Sequence, residues 1–286
     1  MTTTFENDHL NLEYTLECGQ TFRWKKMPDG FYYGVAGTIF TRIRQEGRHF
    51  FFETAPQPED YPTIAAYFGL DQDQEYLETI AALRTDPAIN RAIDRYYGLR
   101  LLHQPPFETL ISFILASNNN IPKVARTVQA ISKRYGSSVL LDKYRGYLFP
   151  TPEQLLLATE TALNEECGAE YRGKYILETT RTIVEQNLDW EHLRALNYDW
   201  AHGQLTRFPG VGRNVADCVM LFSLGKYEAF PLEGWVQQAM ETYYFGGQKT
   251  TPREIHRLAA AKWGDRAGYA NEFLYMYARN HLKRGK

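Results

Sequence analysis

The sequence predicts an α+β protein, in which a small antiparallel β-rich domain at the amino terminus packs on a mostly helical domain. Apolar and polar side chains alternate from about Tyr14 to Glu53, with Gly and Pro between the runs, as expected of antiparallel strands. From Asp60 onward the apolar residues recur at helical spacing. The chain of 286 residues is long enough for two domains, which we expect at 1–90 and 91–286.

The helical segments carry their own start and stop signals. Three early segments, DYPTIAAYFGL, EYLETIAALR and PAINRAIDRYYG, each close on Gly or a polar break. PPFETLISFILASNNN begins at prolines and stops at three asparagines, and IPKVARTVQAISKRYG has Pro122 in its first turn and Gly136 after its end. TPEQLLLAT opens with Thr-Pro, a helix amino-terminal signature. We expect helices almost throughout this part of the chain.

Composition narrows the classes of protein to consider. The net charge of −2 does not favour a nucleic-acid binder, but a few Lys and Arg on one face are enough to neutralise phosphates. Cys18, Cys167 and Cys218 lie far apart and lack CxxC spacing, so we expect no disulfide framework and no metal site. No targeting signal or membrane-spanning run is found in the sequence, which predicts a cytoplasmic protein.

Two helical segments flank a glycine-containing turn near position 210. WAHGQLTRF and RNVADCVMLFSLG both have helical apolar spacing, and Gly210 and Gly212 lie between them. Glycines at this spacing permit positive φ values that turn backbone N–H groups toward one side, where the second helix begins and a phosphate is attracted. The pattern predicts a helix–hairpin–helix, although a tight turn between two core helices has the same pattern.

A carboxylate follows the hairpin. Glu233 comes directly after Phe230, Pro231 and Leu232, nineteen positions beyond Asn214 (233 minus 214). A helix of about three turns between them would bring both side chains to one cleft. With this arrangement the sequence resembles the 8-oxoguanine DNA glycosylase/lyase family of the helix–hairpin–helix DNA glycosylase superfamily. The hallmark of that family is a Lys in the hairpin and an Asp that follows a Pro further along the chain.

The resemblance covers nearly the whole chain. Six motifs that are weak alone occur in the order of the family, which makes accidental coincidence improbable. They are CGQTFRW (18–24), SNNN (117–120), GAEYRGKY (168–175), the hairpin, PLEGW (231–235) and WGDRAGYANEFLYMYAR (263–279). The resemblance implies that the partner is double-stranded DNA with a damaged base. We expect the protein to be a monomer and, in a prokaryote, to be associated with the nucleoid.

Enzymes of this family rotate the target nucleotide out of the duplex, at a cost of roughly a few kcal/mol. The resemblance implies that Asn118 enters the vacated stack, Tyr171 wedges beside it and Arg172 helps to hold the orphaned base. A polar loop that caps two helices is the alternative for 118–120. The resemblance also implies DNA contacts for four further residues, Lys123, Gly210, Gly212 and Arg213.

The base pocket is implied in the same way. Oxidation of guanine at C8 turns N7 into a hydrogen-bond donor. The resemblance implies that the backbone carbonyl of Gly19 accepts this hydrogen bond. Cys218 and Tyr275 would face the base, and Asn271 would meet its edge. Asn271 stands where the family has Gln and Tyr275 where it has Phe, so the pocket either prefers another lesion or binds the same one through water. A turn glycine and a buried apolar cysteine are the alternatives for Gly19 and Cys218.

The catalytic positions depart from the family. Asn214 stands where the family has its nucleophilic Lys, and a carboxamide nitrogen cannot attack the sugar or form a Schiff base. Glu233 stands where the family has Asp, so the negative charge is kept on a side chain that is longer by one methylene. Lys226 lies beyond the second helix and is no replacement amine. We therefore predict that the Schiff-base lyase step is lost.

Three interpretations remain open. In the first, Glu233 stabilises a cationic sugar and activates water, which gives a glycosylase that releases the base by hydrolysis without cutting the backbone. Alternatively, the protein is a catalytically silent paralogue that binds lesions. In the third, the Lys was removed by an experimenter, but the joint departures at Asn214, Glu233, Gly234, Asn271 and Tyr275 favour natural divergence. No cofactor is expected, and a cation bound by the backbone carbonyls of Gly210 to Gly212 is left open.

Overall fold

The computed structural model describes residues 2–283 and confirms the α+β class. Five strands form an antiparallel sheet in the order β1-β5-β4-β3-β2. Their bounds are Thr3–Glu6 (β1), Lys25–Lys26 (β2), Tyr32–Ala36 (β3), Ile39–Glu46 (β4) and His49–Ala55 (β5). Ile43 and Phe52 pair across β4 and β5, and both are fully buried in the apolar core beneath the sheet.

Helices form most of the remaining described chain. Those that precede the hairpin are α1 (Leu12–Glu17), α2 (Tyr61–Phe68), α3 (Asp73–Leu83), α4 (Pro87–Tyr96), α5 (Pro106–Ala116), α6 (Ile121–Tyr135), α7 (Pro152–Leu155), α8 (Gly173–Glu185) and α9 (Trp190–Ala195). The hairpin and the carboxyl-terminal part contain α10 (Tyr198–Leu205), α11 (Arg213–Ser223), α12 (Gly234–Tyr244), α13 (Pro252–Trp263) and α14 (Ala267–His281). Short turns of 3-10 or π helix occupy Leu70–Gln72, Ala162–Glu166, Glu170–Arg172 and Gly264–Arg266.

Two local expectations are wrong. The strand expected from Tyr14 is instead the helix α1, because Asn11 caps it by accepting a hydrogen bond from Tyr14 N at 3.0 Å. The helical part also contains a β-hairpin, β6 (Ser138–Leu141) and β7 (Tyr144–Tyr147). This hairpin covers the second face of the five-stranded sheet, where Leu141 joins a buried cluster with Phe40.

Buried polar side chains join the sheet region to the helices. The Arg23 guanidinium is almost fully buried, lies 3.3 Å from Glu108 on α5 and donates to the carbonyl of Tyr147 at 2.5 Å. The core of the helical part already includes Tyr76, Ile80 and Leu83 of α3. The division at residue 90 stays a prediction.

Candidate active site

A cavity of about 660 Å³ opens where the loop after α1, the end of α5, the start of α11, the start of α12 and α14 meet. It brings together most of the residues that the sequence singled out. Those that line it are Gly19, Asn118, Lys123, Asn214, Cys218, Glu233, Asn271 and Tyr275. Tyr171, Arg172, Gly210, Gly212 and Arg213 are not among the residues that line it. The roles assigned to all these residues stay predictions.

Gly19 lies at one wall of the cavity with a backbone that favours glycine. Its φ is +104°, and a Cβ atom there would lie 2.9 Å from Ile121 Cδ1 and 3.4 Å from the Tyr275 hydroxyl. Both the backbone conformation and the lack of space therefore exclude a side chain. The residue is in a turn, as the alternative interpretation held, and this turn borders the cavity.

The next residue, Gln20, fixes this turn. Its buried amide donates to the carbonyls of Thr15 at 2.9 Å and Arg100 at 2.8 Å, and its side-chain oxygen accepts from Leu102 N at 2.8 Å. The Gln104 amide in turn donates to the Gln20 carbonyl at 2.7 Å. The sequence showed this Gln only as part of the CGQTFRW motif, because its partners Arg100 and Leu102 lie some eighty residues away (100 minus 20).

Asn271 and Tyr275 lie on α14, four residues apart, so they share one helix face. The Asn271 amide nitrogen donates to the Pro231 carbonyl at 2.7 Å, which fixes the orientation of the amide. No hydrogen bond to its side-chain oxygen is found among residues 2–283, although Asn271 is only 3% exposed. Burial raises the pKa of the Tyr275 hydroxyl to about 12, so the ring stays neutral.

Asn214 and Cys218 lie one turn apart on α11. The side-chain oxygen of Asn214 is buried and has no hydrogen-bond partner within the described chain. Cys218 is fully buried, and burial raises the pKa of its thiol well above the usual value. Cys218 is therefore a neutral, buried cysteine that also borders the cavity, which fits both of its interpretations.

Glu233 is the residue that precedes α12. Its side chain is open to water in the cavity, yet the surrounding protein disfavours the charged form and raises its pKa. Glu233 and Asn214 thus border the same cavity, from the starts of α12 and α11. What this carboxyl can do depends on pH, because only its ionised form accepts a proton.

Glu272 is the residue that sequence reasoning missed. It follows Asn271 on α14, borders the cavity and is only 4% exposed. Burial raises the pKa of its carboxyl to about 7; the Cys18 thiol beside it acts against this shift and the nearby Glu233 adds to it. The signal in the sequence was a single acidic residue within the largely apolar run YANEFLYMY, where burial on all sides of a helix was to be expected.

The cavity mouth is formed by the SNNN segment. Asn118 is exposed and adopts a left-handed conformation with φ of +52°. Asn120 instead caps α6, accepting from Lys123 N at 3.0 Å, as the polar-loop alternative held for this residue. Lys123 forms an ion pair through its ammonium group with Glu170, which also has a positive φ, +56°.

Arg172 and Tyr171 lie next to the mouth, which Arg172 contacts at Ser117. The Arg172 guanidinium is buried, bonds to Glu170 at 2.9 Å and donates to the Ser117 carbonyl at 2.5 Å. It also lies 4.4 Å from the centre of the Tyr171 ring. Tyr171 is 58% exposed, so a large aromatic surface faces solvent beside the cavity.

The hairpin joins α10 to α11, as the sequence predicted. Gly210 has φ of +78°, whereas Gly212 is extended with φ of −86° and caps α11. Behind the turn, the Tyr198 hydroxyl donates to the buried carboxyl of Asp217 at 2.5 Å, and Arg213 lies 3.8 Å from that carboxyl. Only one of the two glycines therefore uses a positive φ.

The cation suggested for the backbone carbonyls of 210–212 stays a prediction. The Gly212 carbonyl accepts from Ala216 N at 3.0 Å, as the first bond of α11. Nearby, the Pro209 carbonyl accepts from the Thr179 hydroxyl at 2.9 Å. Among residues 2–283, no group of three or more His, Cys, Asp or Glu side chains is arranged to hold a metal ion.

Comparison with known proteins now identifies the family. Residues 3–110 match the amino-terminal domain of 8-oxoguanine DNA glycosylase, and residues 111–265 match the HhH-GPD superfamily of base excision DNA repair proteins. The chain belongs to the 8-oxoguanine DNA glycosylase family. The N-glycosylase/DNA lyase OGG1 of Arabidopsis thaliana is 30% identical over 93% of this chain and 77% of its own length.

Solved structures of this family share the whole fold. The 8-oxoguanine glycosylase/lyase of Clostridium acetobutylicum, in complex with double-stranded DNA containing cytosine opposite 8-oxoguanine, has a TM-score of 0.90 and 32% identity, covering 99% of both chains. MBOgg1 in complex with a low-affinity DNA ligand has a TM-score of 0.92 and 31% identity, covering 99% of this chain and 96% of the other. None of the helices within 2–283 has the length and apolar character needed to cross a membrane.

The two hairpin glycines should differ in their tolerance of a side chain. At Gly210 an added Cβ would lie 2.9 Å from Tyr175 Cβ in a backbone with positive φ, so Gly210→Ala should lower the free energy of unfolding by about 1–3 kcal/mol. Gly212→Ala is the control, because no atom lies within 4 Å of its Cβ position. Urea unfolding of both variants checks this, and equal stabilities would contradict it.

Glu272→Gln should stabilise the protein at alkaline pH. Because the folded-state pKa of about 7 lies above the usual 4.5, the wild type loses stability as pH rises from about 4.5 to 7. The variant should therefore be more stable at pH 8 by up to about 3 kcal/mol, with little difference at pH 4.

Glu241→Gln is a matched control for this measurement. Glu241 is also buried, but its pKa is lowered by hydrogen bonds to Gln237 and to Lys249, which outweigh burial. Its replacement should destabilise the protein at pH 8. Urea unfolding at the two pH values checks both signs, and the same sign for both variants would refute the assignment.

Proposed function

We propose that this protein everts a damaged purine of the oxidised-guanine type from duplex DNA and binds it in the cavity. The observation that carries the proposal is the convergence of Gly19, Asn214, Cys218, Asn271 and Tyr275 on one cavity with Glu233. The volume suits a nucleobase with part of its sugar, and the exposed Tyr171 at the mouth suits a wedge into the duplex. DNA complexes of similar proteins support this partner.

We further propose that base removal, where it occurs, is hydrolytic. A water oxygen bonds to C1′ of the sugar while the bond from C1′ to the base breaks, and the bonding electron pair leaves with the base. The Glu233 carboxylate accepts the proton of the water and stabilises the positive charge that develops on the sugar. The Asn214 side chain borders the same cavity, and its amide can orient this water.

The lyase step requires an amine that forms a Schiff base with the sugar. Asn214 supplies none, because its nitrogen is conjugated with its carbonyl. Lys123 is the only lysine that lines the cavity within the described chain, and its ammonium is paired with Glu170. We therefore propose that the protein leaves an intact strand with an abasic site.

A silent lesion-binding paralogue is the second candidate, and one observation favours it. The raised pKa of Glu233 increases the neutral fraction of the carboxyl, and a neutral carboxyl cannot take a proton from water. The binding elements do not depend on this carboxylate. In either case we propose a cytoplasmic protein that acts on chromosomal DNA.

Borohydride reduction in the presence of an 8-oxoguanine duplex should give no covalent adduct. The double change Asn214→Lys with Glu233→Asp should restore an adduct, because it returns the amine and the shorter carboxylate to one cavity. Denaturing gel electrophoresis measures the adduct. Asn214→Gln with Glu233→Asp is the control, since it has no amine and should give none; a robust wild-type adduct would overturn the proposal.

Base hydrolysis should depend on Glu233 and on pH. In a single-turnover assay, alkali-labile sites should appear with the wild type and fall by about a hundredfold or more with Glu233→Gln. The rate should decrease as pH falls, starting from a higher pH than for an exposed Glu, because the pKa is raised. Glu228→Gln, an exposed change outside the cavity, should leave the rate unchanged.

The same assay separates the two candidates. Strand breaks that appear only after alkali indicate the hydrolytic glycosylase. Tight, salt-dependent binding of the lesion without any base loss indicates the silent paralogue. If affinity for lesion duplexes shows no salt dependence and equals that for intact DNA, the nucleic-acid proposal fails.

A further inference from the structure

The charges that border the cavity are unbalanced. Among the described residues that line it, Glu233 and Glu272 are acidic, and the one basic side chain is Lys123. Lys123 is already paired with Glu170 at the mouth, so its charge is compensated there. The inner part of the cavity therefore contains two carboxyl groups and no basic side chain.

Glu272 has no evident structural partner that would justify its burial. No ion pair of Glu272 within 4 Å is found among residues 2–283, and the groups that act on its carboxyl are the Cys18 thiol, the acidic Glu233 and, at longer range, the Arg279 guanidinium. The nearby Arg279 guanidinium is directed elsewhere, toward the Cys18 carbonyl at 3.3 Å and the Met276 sulfur at 3.2 Å. A buried carboxyl that no cation contacts directly destabilises a fold, which points to a partner that arrives with the ligand.

Three neutral groups add to the negative electrostatic potential of the cavity. The Asn271 amide is oriented by Pro231, so its unpartnered oxygen is a further negative dipole at the cavity wall. The Asn214 oxygen is a second unpartnered acceptor. The Tyr275 ring borders the cavity and its π face attracts cations, one of which, the Arg279 guanidinium, already lies 5.5 Å from the ring centre.

From this arrangement we propose that the cavity accepts a purine base with a formal positive charge, alkylated at a ring nitrogen, with Glu233 and Glu272 as its counter-charges. The inference rests on the proposed eversion of a base and adds a substrate class to it. Asn214 fits this class, because an ammonium at that position would repel a cationic base, whereas an amide does not.

The chemistry of such a base also suits the groups present. When water bonds to C1′ and the bond from C1′ to the ring nitrogen breaks, the electron pair neutralises the ring, which leaves as an uncharged molecule. The water proton passes to the Glu233 carboxylate and then to solvent. No amine nucleophile and no acid for the leaving base are required, so the loss of the hairpin Lys costs this reaction less than it costs excision of a neutral base.

The test compares duplexes in which one 2′-fluoronucleotide, resistant to base loss, carries N7-methylguanine, 8-oxoguanine or unmodified guanine, together with an abasic analogue. Binding is measured by fluorescence anisotropy at pH 6.5, where the methylated base is cationic. The wild type should bind the N7-methylguanine duplex at least about tenfold more tightly than the guanine duplex. Glu272→Gln should lose about tenfold on the methylated duplex and stay within about twofold on the abasic one.

Two controls make the result decisive. Glu241→Gln removes a buried carboxyl on α12 outside the cavity and should leave all four affinities unchanged. Equal losses by Glu272→Gln on charged, neutral and abasic duplexes, or no wild-type preference for the methylated base over guanine, would overturn the inference. If the wild type binds the abasic analogue no better than intact guanine DNA, the proposed eversion itself fails, which is a distinguishable outcome.

Discussion

The site depends on the hydrogen bonds of one buried amide, that of Gln20. A Gln side chain without partners inside a protein is costly, and here both ends of the amide are satisfied by backbone groups of 15–20 and 100–102. These bonds fix the turn that holds Gly19 at φ of +104°, beside Ile121 and Tyr275. One wall of the cavity is thus made of backbone held in place by α1 and by the segment between α4 and α5, while the opposite walls come from α11, α12 and α14.

Acceptor and acidic groups dominate the lining of the cavity. The hairpin position offers an amide oxygen without a partner, and two carboxyls with raised pKa values border the same space. Within residues 2–283 the one basic side chain that lines the cavity is Lys123, and the thiol of Cys218 and the hydroxyl of Tyr275 both remain neutral.

Local sequence signals predicted the fold class and most helices, because caps and apolar periodicity are encoded within a few residues. The Asn120 cap and the turn between α10 and α11 are examples. The helix α1 was mistaken for a strand because its six residues are too short for a clear period, and β6 and β7 were missed for the same reason. A role for Glu272 could not be predicted from the sequence, because the groups that act on its carboxyl, Cys18 and Glu233, are remote in sequence and come close only in the fold.

The positive charges at the mouth of the cavity are compensated by an acidic side chain of the protein itself. Glu170 lies between Lys123 and Arg172 and is ion-paired with both, so these two cations already have an internal anion before any nucleic acid arrives. Basic side chains gain affinity for DNA largely by releasing the mobile salt ions that are condensed on its phosphates. Two basic side chains that are already paired with Glu170 release few such ions. The entropic contribution to DNA association is therefore smaller here than the number of basic residues suggests, and shape complementarity and stacking contribute more of the affinity.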